Sequence, residues 1–248
     1  MFTASIILPY YKKKLFIKKT IQSILTQTFQ DFEIIIIYDD NDKSELKFIK
    51  EIKNLDKRIK LVVNKKNLGA GLSRNVGINL SLGSYICFID ADDIWKKEKL
   101  KKQIMFMKEN NYDITHTSYE IVDEKKKKIG TRIAKTFKNF DELLPSCDIG
   151  LSTVIVKKFI FEKGLKFPSL KTKEDFVVWL MMLKKGHKIY SFDKKLTLWT
   201  KSKNSLSTSA IQKLKDSFFL YNRYMKFNHI KSLFYTFRLS VNYVLKNL

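Results

Sequence analysis

Short apolar runs alternate with amphipathic stretches along the first 110 residues. Residues 5–8, 32–38, 59–63 and 85–89 are runs of β-branched, aliphatic and aromatic side chains bounded by Pro, Gly, Asp or Asn, which predicts buried strands. Between them, Phe16, Ile17, Thr20, Ile21, Ile24 and Leu25 recur at helical spacing, as do Leu46, Ile49, Ile52 and Leu55, and then Leu72, Val76 and Leu80. Strands alternating with helices predict an α/β domain with a mostly parallel central sheet. Ligands of such sheets gather beyond the carboxyl ends of the strands. Those ends carry Pro9 with the loop Tyr10-Tyr11-Lys12, then Asp39-Asp40-Asn41-Asp42, then Asp90-Ala91-Asp92-Asp93. The pattern therefore predicts that Pro9, Asp39 and Asp90 converge.

Beyond Asn110 the alternation weakens. Residues 114–119 read as a strand, 125–132 as a basic hairpin, 151–156 as a strand after the loop 146–150, and 196–199 as a further strand. Phe176, Trp179 or Leu180, and Leu183 give one helical face, with Glu174 and Asp175 in its first turn, where the helix dipole favours negative charge. Residues 208–248 return to helical periodicity. The expected organisation is one domain over 1–207, divided into halves at 110, and a separate helical tail over 208–248.

Composition adds a strong charge. Lys and Arg number 48 against 25 Asp and Glu, a formal +23, which attracts polyanions: nucleic acid, an anionic membrane leaflet or a diphosphate-bearing substrate. Runs such as 12–14 and 125–128 read as solvated faces. No run approaches the roughly eighteen apolar residues of a membrane span, and strand-like sequence begins at once, so a cytoplasmic location is expected. Cys87 and Cys147 have no paired spacing, and His116, His187 and His229 are isolated, so neither disulfides nor a zinc site is expected.

Two stretches carry candidate chemistry. Asp90 and Asp92, two apart in extended backbone, project the same way and offer hard oxygen ligands to a divalent cation or a ribose hydroxyl; a solvated turn is the competing explanation. In the stretch 67–75, Gly69 and Gly71 permit a tight turn and Arg74 stands at a helix start, within reach of a nucleotide or of the Asp cluster. This stretch lacks the third glycine of a dinucleotide fingerprint and the Gly-Lys-Ser/Thr of a phosphate loop.

Taken together, Ser5-Ile-Ile-Leu-Pro9-Tyr-Tyr, Ile24-Leu-Thr-Gln27-Thr-Phe29-Gln-Asp-Phe32-Glu-Ile, Asp39-Asp40, Asn67-Leu-Gly69 through Ser73-Arg74-Asn75, and Phe88-Ile-Asp90-Ala-Asp92-Asp93 resemble the inverting family 2 glycosyltransferases of GT-A fold. The resemblance implies a UDP-sugar site, with the base near Pro9, Tyr10, Tyr11 and Asp39 or Asp40, and the ribose and diphosphate near Arg74, Asp90 and Ala91. It places a divalent cation, Mn²⁺ or Mg²⁺, at Asp92. Glu174-Asp175-x-x-x-Trp179 is similar to the family's acceptor motif, which makes Asp175 the base and sets Glu174 and Trp179 at the acceptor, with a core role for Trp179 as the competing explanation. Lys201 and Lys203 lie in a segment similar to one that closes over the diphosphate. One departure is Asp-Asp-Asn-Asp where the family often has Asp-Asp-Gly-Ser, which leaves open which Asp meets the base.

The implied activity is metal-dependent, inverting transfer of a sugar to a glycan or lipid-linked glycan acceptor, in lipooligosaccharide, capsule or other surface-polysaccharide synthesis. Two other classes compete. A nucleotidyltransferase of similar fold would carry a glycine-rich basic loop after the first strand, where this chain has Pro9-Tyr10-Tyr11. A nucleic-acid-binding protein would interleave exposed aromatics with Lys and Arg along one surface, whereas these aromatics sit within apolar periods, so no nucleic-acid partner is expected. The tail is expected to meet an anionic membrane through residues 230–248, where Ile230, Leu233 or Phe234, Phe237, Val241 and Val244 follow a helical period among Lys and Arg. The enzyme would then sit peripherally on the inner face of the cytoplasmic membrane.

Overall fold

In the computed structural model, which describes residues 2–202 and 209–245, the isoleucine-rich runs form the centre of one sheet. Branched side chains fit a pleated surface covered on both sides. The first half runs β1 (Ala4–Tyr10), α1 (Lys14–Leu25), β2 (Phe32–Tyr38), α2 (Lys43–Lys53), β3 (Ile59–Val63), α3 (Ala70–Leu80) and β4 (Tyr85–Phe88). Its strands lie parallel in the order β3-β2-β1-β4. Successive side chains alternate between two cores: Ile6, Leu8, Ile34 and Ile36 meet Ile17, Ile21 and Ile24 of α1 on one face. Ile7, Ile35, Ile37 and Phe88 belong to the other.

The second half adds β5 (Ile94–Trp95), α4 (Lys99–Glu109), β6 (Ile114–Val122), β7 (Lys128–Arg132), α5 (Phe140–Leu143), β8 (Ile155–Lys157), α6 (Phe159–Glu162), α7 (Glu174–Lys184) and β9 (Tyr190–Thr200). Here the sheet turns mixed. β8 pairs antiparallel with β4, β6 antiparallel with β8, and β9 parallel with β6, while β5 closes the far edge and β7 forms a hairpin with β6.

Three expectations need correction. β1 continues through Pro9 and Tyr10 instead of ending before a loop. β4 pairs with β1 only as far as Ile7, so the missing N–H of Pro9 falls where no neighbour requires it. Residues 151–156 are not one strand: Leu151–Thr153 is a 3₁₀ turn in which the Thr153 hydroxyl donates to the Gly150 carbonyl (2.6 Å), and such local bonding competes with the sheet. The tail does not stand apart either. α8 (Ala210–Phe219), a wide turn over Leu220–Tyr224 and α9 (His229–Leu245) return to the body, where Leu220, Tyr221, Met225 and Leu239 join the core of Ile7 and Phe176. The Tyr221 hydroxyl donates to the Leu144 carbonyl (2.8 Å) and the Asn242 amide to that of Pro145 (2.8 Å).

Candidate active site

Arg74 is where the two halves meet. Gly69, at φ +82°, starts α3 in a conformation that suits glycine, and Asp39 fixes that start by accepting from the N–H groups of Leu68 and Gly69 (both 2.8 Å). Gly71 permits close approach: a Cβ there would lie 2.6 Å from the Pro168 carbonyl oxygen. α3 therefore packs against the chain leading into α7, and Arg74 is carried between them, only 3 % exposed. One terminal nitrogen donates to Glu174 Oε1 (2.7 Å) and the other to Asp90 Oδ1 (2.9 Å). Of the two expected targets of Arg74, the Asp cluster is met: it joins Asp90, after β4, to Glu174, at the start of α7.

The turn after β4 is held by its third acid. Asp93, 1 % exposed, accepts from the Ser152 hydroxyl (2.5 Å) and the Thr200 N–H (2.8 Å), while Ser152 Oγ also accepts from the Asp90 N–H (3.0 Å). Burial and the neighbouring Asp92 and Asp90 push Asp93 well above the usual carboxylate range. Ala91 faces the core and its carbonyl accepts from Thr20 (2.9 Å), so it contributes shape to the turn. Asp92 is raised by burial, with Lys13 opposing: the Lys13 ammonium lies 2.6 Å from Asp92 Oδ2. Lys126, from the β6–β7 turn, donates to the Asp92 carbonyl (3.0 Å).

The Asp92 carboxylate thus already stabilises a cation, and it is a hard oxygen donor of the kind divalent ions take. Among the described residues no three His, Cys, Asp or Glu side chains form a cage. Asp92 therefore offers a divalent ion one carboxylate and not a complete cage.

At the carboxyl end of β2 the two candidate acids separate. Asp39 is 2 % exposed and fully engaged, by Leu68, Gly69 and the Asn64 amide (2.7 Å). Asp40 accepts from the Asn41 N–H (2.7 Å) through Oδ1, and its Oδ2 is buried without a partner. Asp42 caps α2 by accepting from the Ser44 and Glu45 N–H groups. Pro9 and Tyr11 are half-buried beside this end, but Tyr10 is not in a loop. It stacks on Tyr38 and donates to Glu45 Oε2 (2.6 Å), fully buried.

At the start of α7, Lys173, at φ +67°, sets Glu174 and Asp175 in the first turn. Burial raises Glu174 to about 7 against the pull of Arg74, and burial also raises Asp175, opposed by Arg74 and Lys173. Trp179 is a correction. It is fully buried among Phe88 and Phe167, so it packs the core and has no face for a sugar. Lys201 stands exposed just past β9, and Lys203 lies outside the described residues. Sequence carries no signal for Lys13, Lys126, Ser152 and Thr200, since the two lysines sit inside runs that read as solvated and the hydroxyls have no motif.

A family model described as glycosyl transferase family 2 matches residues 5–165. The Bacillus subtilis protein TuaG, named as a glycosyltransferase of teichuronic acid biosynthesis, is 29 % identical over 98 % of this chain and 97 % of its own length. The Escherichia coli protein WfgD, named UDP-Glc:α-D-GlcNAc-diphosphoundecaprenol β-1,3-glucosyltransferase, is 34 % identical over 74 % of this chain and 70 % of its own. A longer glycosyltransferase of Rickettsia felis, without assigned function, is 35 % identical over 78 % of this chain, which spans 32 % of that protein. Among solved structures, Staphylococcus aureus TarS 1–349 in complex with UDP-GlcNAc superposes with a TM-score of 0.75 at 20 % identity, over 93 % of this chain and 69 % of that one. A Pyrobaculum calidifontis mannosyltransferase in complex with GDP-Man and Mn²⁺ gives 0.69 at 11 %, over 95 % and 68 %.

Proposed function

The chain belongs to glycosyl transferase family 2 and has the GT-A fold, and we propose that it moves a sugar from a UDP-sugar, with inversion, onto a lipid-linked glycan in surface-polysaccharide synthesis at the cytoplasmic face of the membrane. The observation that carries this is the Asp90–Arg74–Glu174 ion-pair chain, which ties the turn after β4 to the start of α7, with Asp175 within electrostatic reach of Asp90. The names of the relatives supply the substrate class: WfgD takes UDP-Glc and a lipid diphosphate acceptor.

In this reading the uracil meets Asp40, whose unpartnered Oδ2 accepts its ring N–H, because Asp39 is already occupied. Tyr11 and Pro9 border the base. Asp92 would hold the divalent cation, which when bound supplies Lewis-acid stabilisation of the departing diphosphate. Lys13, Lys126 and Lys201 add positive charge around the same phosphates. Asp175 takes the proton from the acceptor hydroxyl as its oxygen attacks the anomeric carbon and the bond to the diphosphate breaks. One displacement inverts that carbon, so an α-linked donor gives a β-glycoside.

The test is transfer from UDP-glucose and UDP-GlcNAc to a lipid-diphosphate GlcNAc acceptor, with the product anomer read by NMR. A β-linked product is expected; an α-linked product, or no transfer from any UDP-sugar, overturns the reading. Two expectations accompany it. Asp92→Asn should remove the Mn²⁺-dependent part of UDP affinity measured by calorimetry, and equal affinity in the variant or in chelator would free Asp92 from a metal role.

The second concerns pH. Because burial raises Asp175, the acid limb of activity should lie above the usual carboxylate range, activity being lost as pH falls and this carboxylate regains its proton. Glu174→Gln removes the adjacent negative charge, so Asp175 ionises more easily and the acid limb of kcat/KM should move to lower pH. A limb that stays in place would show that neither acid titrates in the reaction.

A further inference from the structure

α9 is turned inside out for a helix on a protein surface. Helices that dock on a body bury their apolar stripe and show polar residues to water. In α9 the buried positions are Ser232, Thr236 and Leu239. The outward positions are Ile230, Leu233, Phe234, Phe237, Val241 and Val244, with Ile230 82 % and Phe237 69 % exposed. A run of large apolar side chains this continuous marks a contact surface.

The charges around it favour one occupant. Lys215, Arg223, Lys226, Lys231 and Arg238 are all exposed. The segment 209–245 has one acid, Asp216, which is buried and accepts from the N–H and hydroxyl of Thr172 and from Gln212. A second copy of this chain would bring the same positive charges face to face. An anionic bilayer would accept the apolar stripe among its acyl chains and the cations at its headgroups. No helix among the described residues is long and apolar enough to cross a membrane.

We infer that the outward face of α9, with Lys231 and Arg238 of the same helix flanking it, lies on an anionic membrane surface and presents the acceptor side of the cleft to lipid. The tail is stitched to that side: Asp216 holds Thr172, two residues before Glu174, and Tyr221 and Asn242 hold Leu144 and Pro145. The purpose rests on the reading above that the acceptor is lipid-linked. The binding itself does not.

The experiment uses the full chain and the double variant Phe234→Ser with Phe237→Ser, both at exposed positions, with melting temperatures compared to confirm folding. Truncation is unsuitable, because it would remove Leu239 from the core. Co-sedimentation, without donor, is measured with phosphatidylcholine vesicles and with phosphatidylcholine–phosphatidylglycerol vesicles. The chain should bind the anionic vesicles, less so at high salt, and the variant should bind them at least roughly tenfold more weakly. Equal binding to both vesicle types, or no loss in the variant, overturns the inference. So does a dimer in light scattering that the double variant dissolves, which would mean that a second copy covers the face. Transfer to a short water-soluble acceptor should be the same for both proteins. Absence of that transfer would count against the proposed activity and leave the vesicle result standing.

Discussion

Asp175→Asn should slow sugar transfer by roughly 10² to 10⁴ while leaving UDP-sugar affinity unchanged. The amide has the shape of the carboxylate, and its oxygen can still accept from the Phe176 N–H as Asp175 Oδ1 does at 2.7 Å. What it cannot do is accept the proton of the attacking hydroxyl. Glu174 is a poor replacement, since its Oε1 is engaged by Arg74. Single-turnover rates measured beside calorimetric UDP-sugar affinities separate the two effects. An equal loss of affinity would move Asp175 into the donor site, and an undiminished rate would leave the base unassigned.

Arg74→Met should destabilise the fold by about 3 kcal/mol. Breaking a buried pair by deleting one partner commonly costs about 3–5 kcal/mol, because a charge is left behind without compensation. The lower end applies because the Asp90 side chain is 37 % exposed, and water can take over part of its solvation. Methionine keeps much of the volume beside Phe167, over whose ring the guanidinium lies (5.5 Å).

The deficit should also depend on pH. Glu174 already stands at about 7 with Arg74 present, and losing the cation raises it further. Its folded value lies above the unfolded one, so protonation relieves the folded state. The Glu174 share of the deficit should therefore be small at pH 5, where the group is protonated with or without Arg74, and should grow as pH rises above about 7. Denaturant melts of both proteins at the two ends of that range measure it. A pH-independent deficit would mean that Arg74 does not act through Glu174.

The parallel half was legible because its signals are local. Ile34 to Ile37 alternate between two cores by the period of a strand, and β2 and β3 have the bounds that the apolar runs predict. The second half depends on contacts that no local pattern carries. Trp179 stands on α7 one turn beyond Asp175, and only the tertiary neighbours Phe88 and Phe167 reveal that it faces inward. Lys13 lies between Lys12 and Lys14 in a run that reads as solvent-facing, and those two are indeed exposed. Lys12, at φ +49°, bends the chain in the left-handed region directly before Lys13, whose ammonium reaches Asp92. Composition cannot distinguish the three. Asp39 and Asp40 are likewise adjacent and identical in type; the hydrogen bonds of Asn64, Leu68 and Gly69 separate them.

The Arg74–Glu174 bond spans 100 residues of chain, and that spacing governs how the protein emerges from the ribosome. When the first 110 residues have appeared, β1 to β4 are complete, yet Phe88 still lacks Phe161, Phe167 and Trp179, the rings that cover it. Arg74 at that moment has Asp90 but no second carboxylate. The nascent parallel half therefore carries a bare apolar face and half-compensated charge until α7 leaves the exit tunnel. Such a face is prone to aggregate, and cutting the chain near residue 110 would keep it permanently in that state.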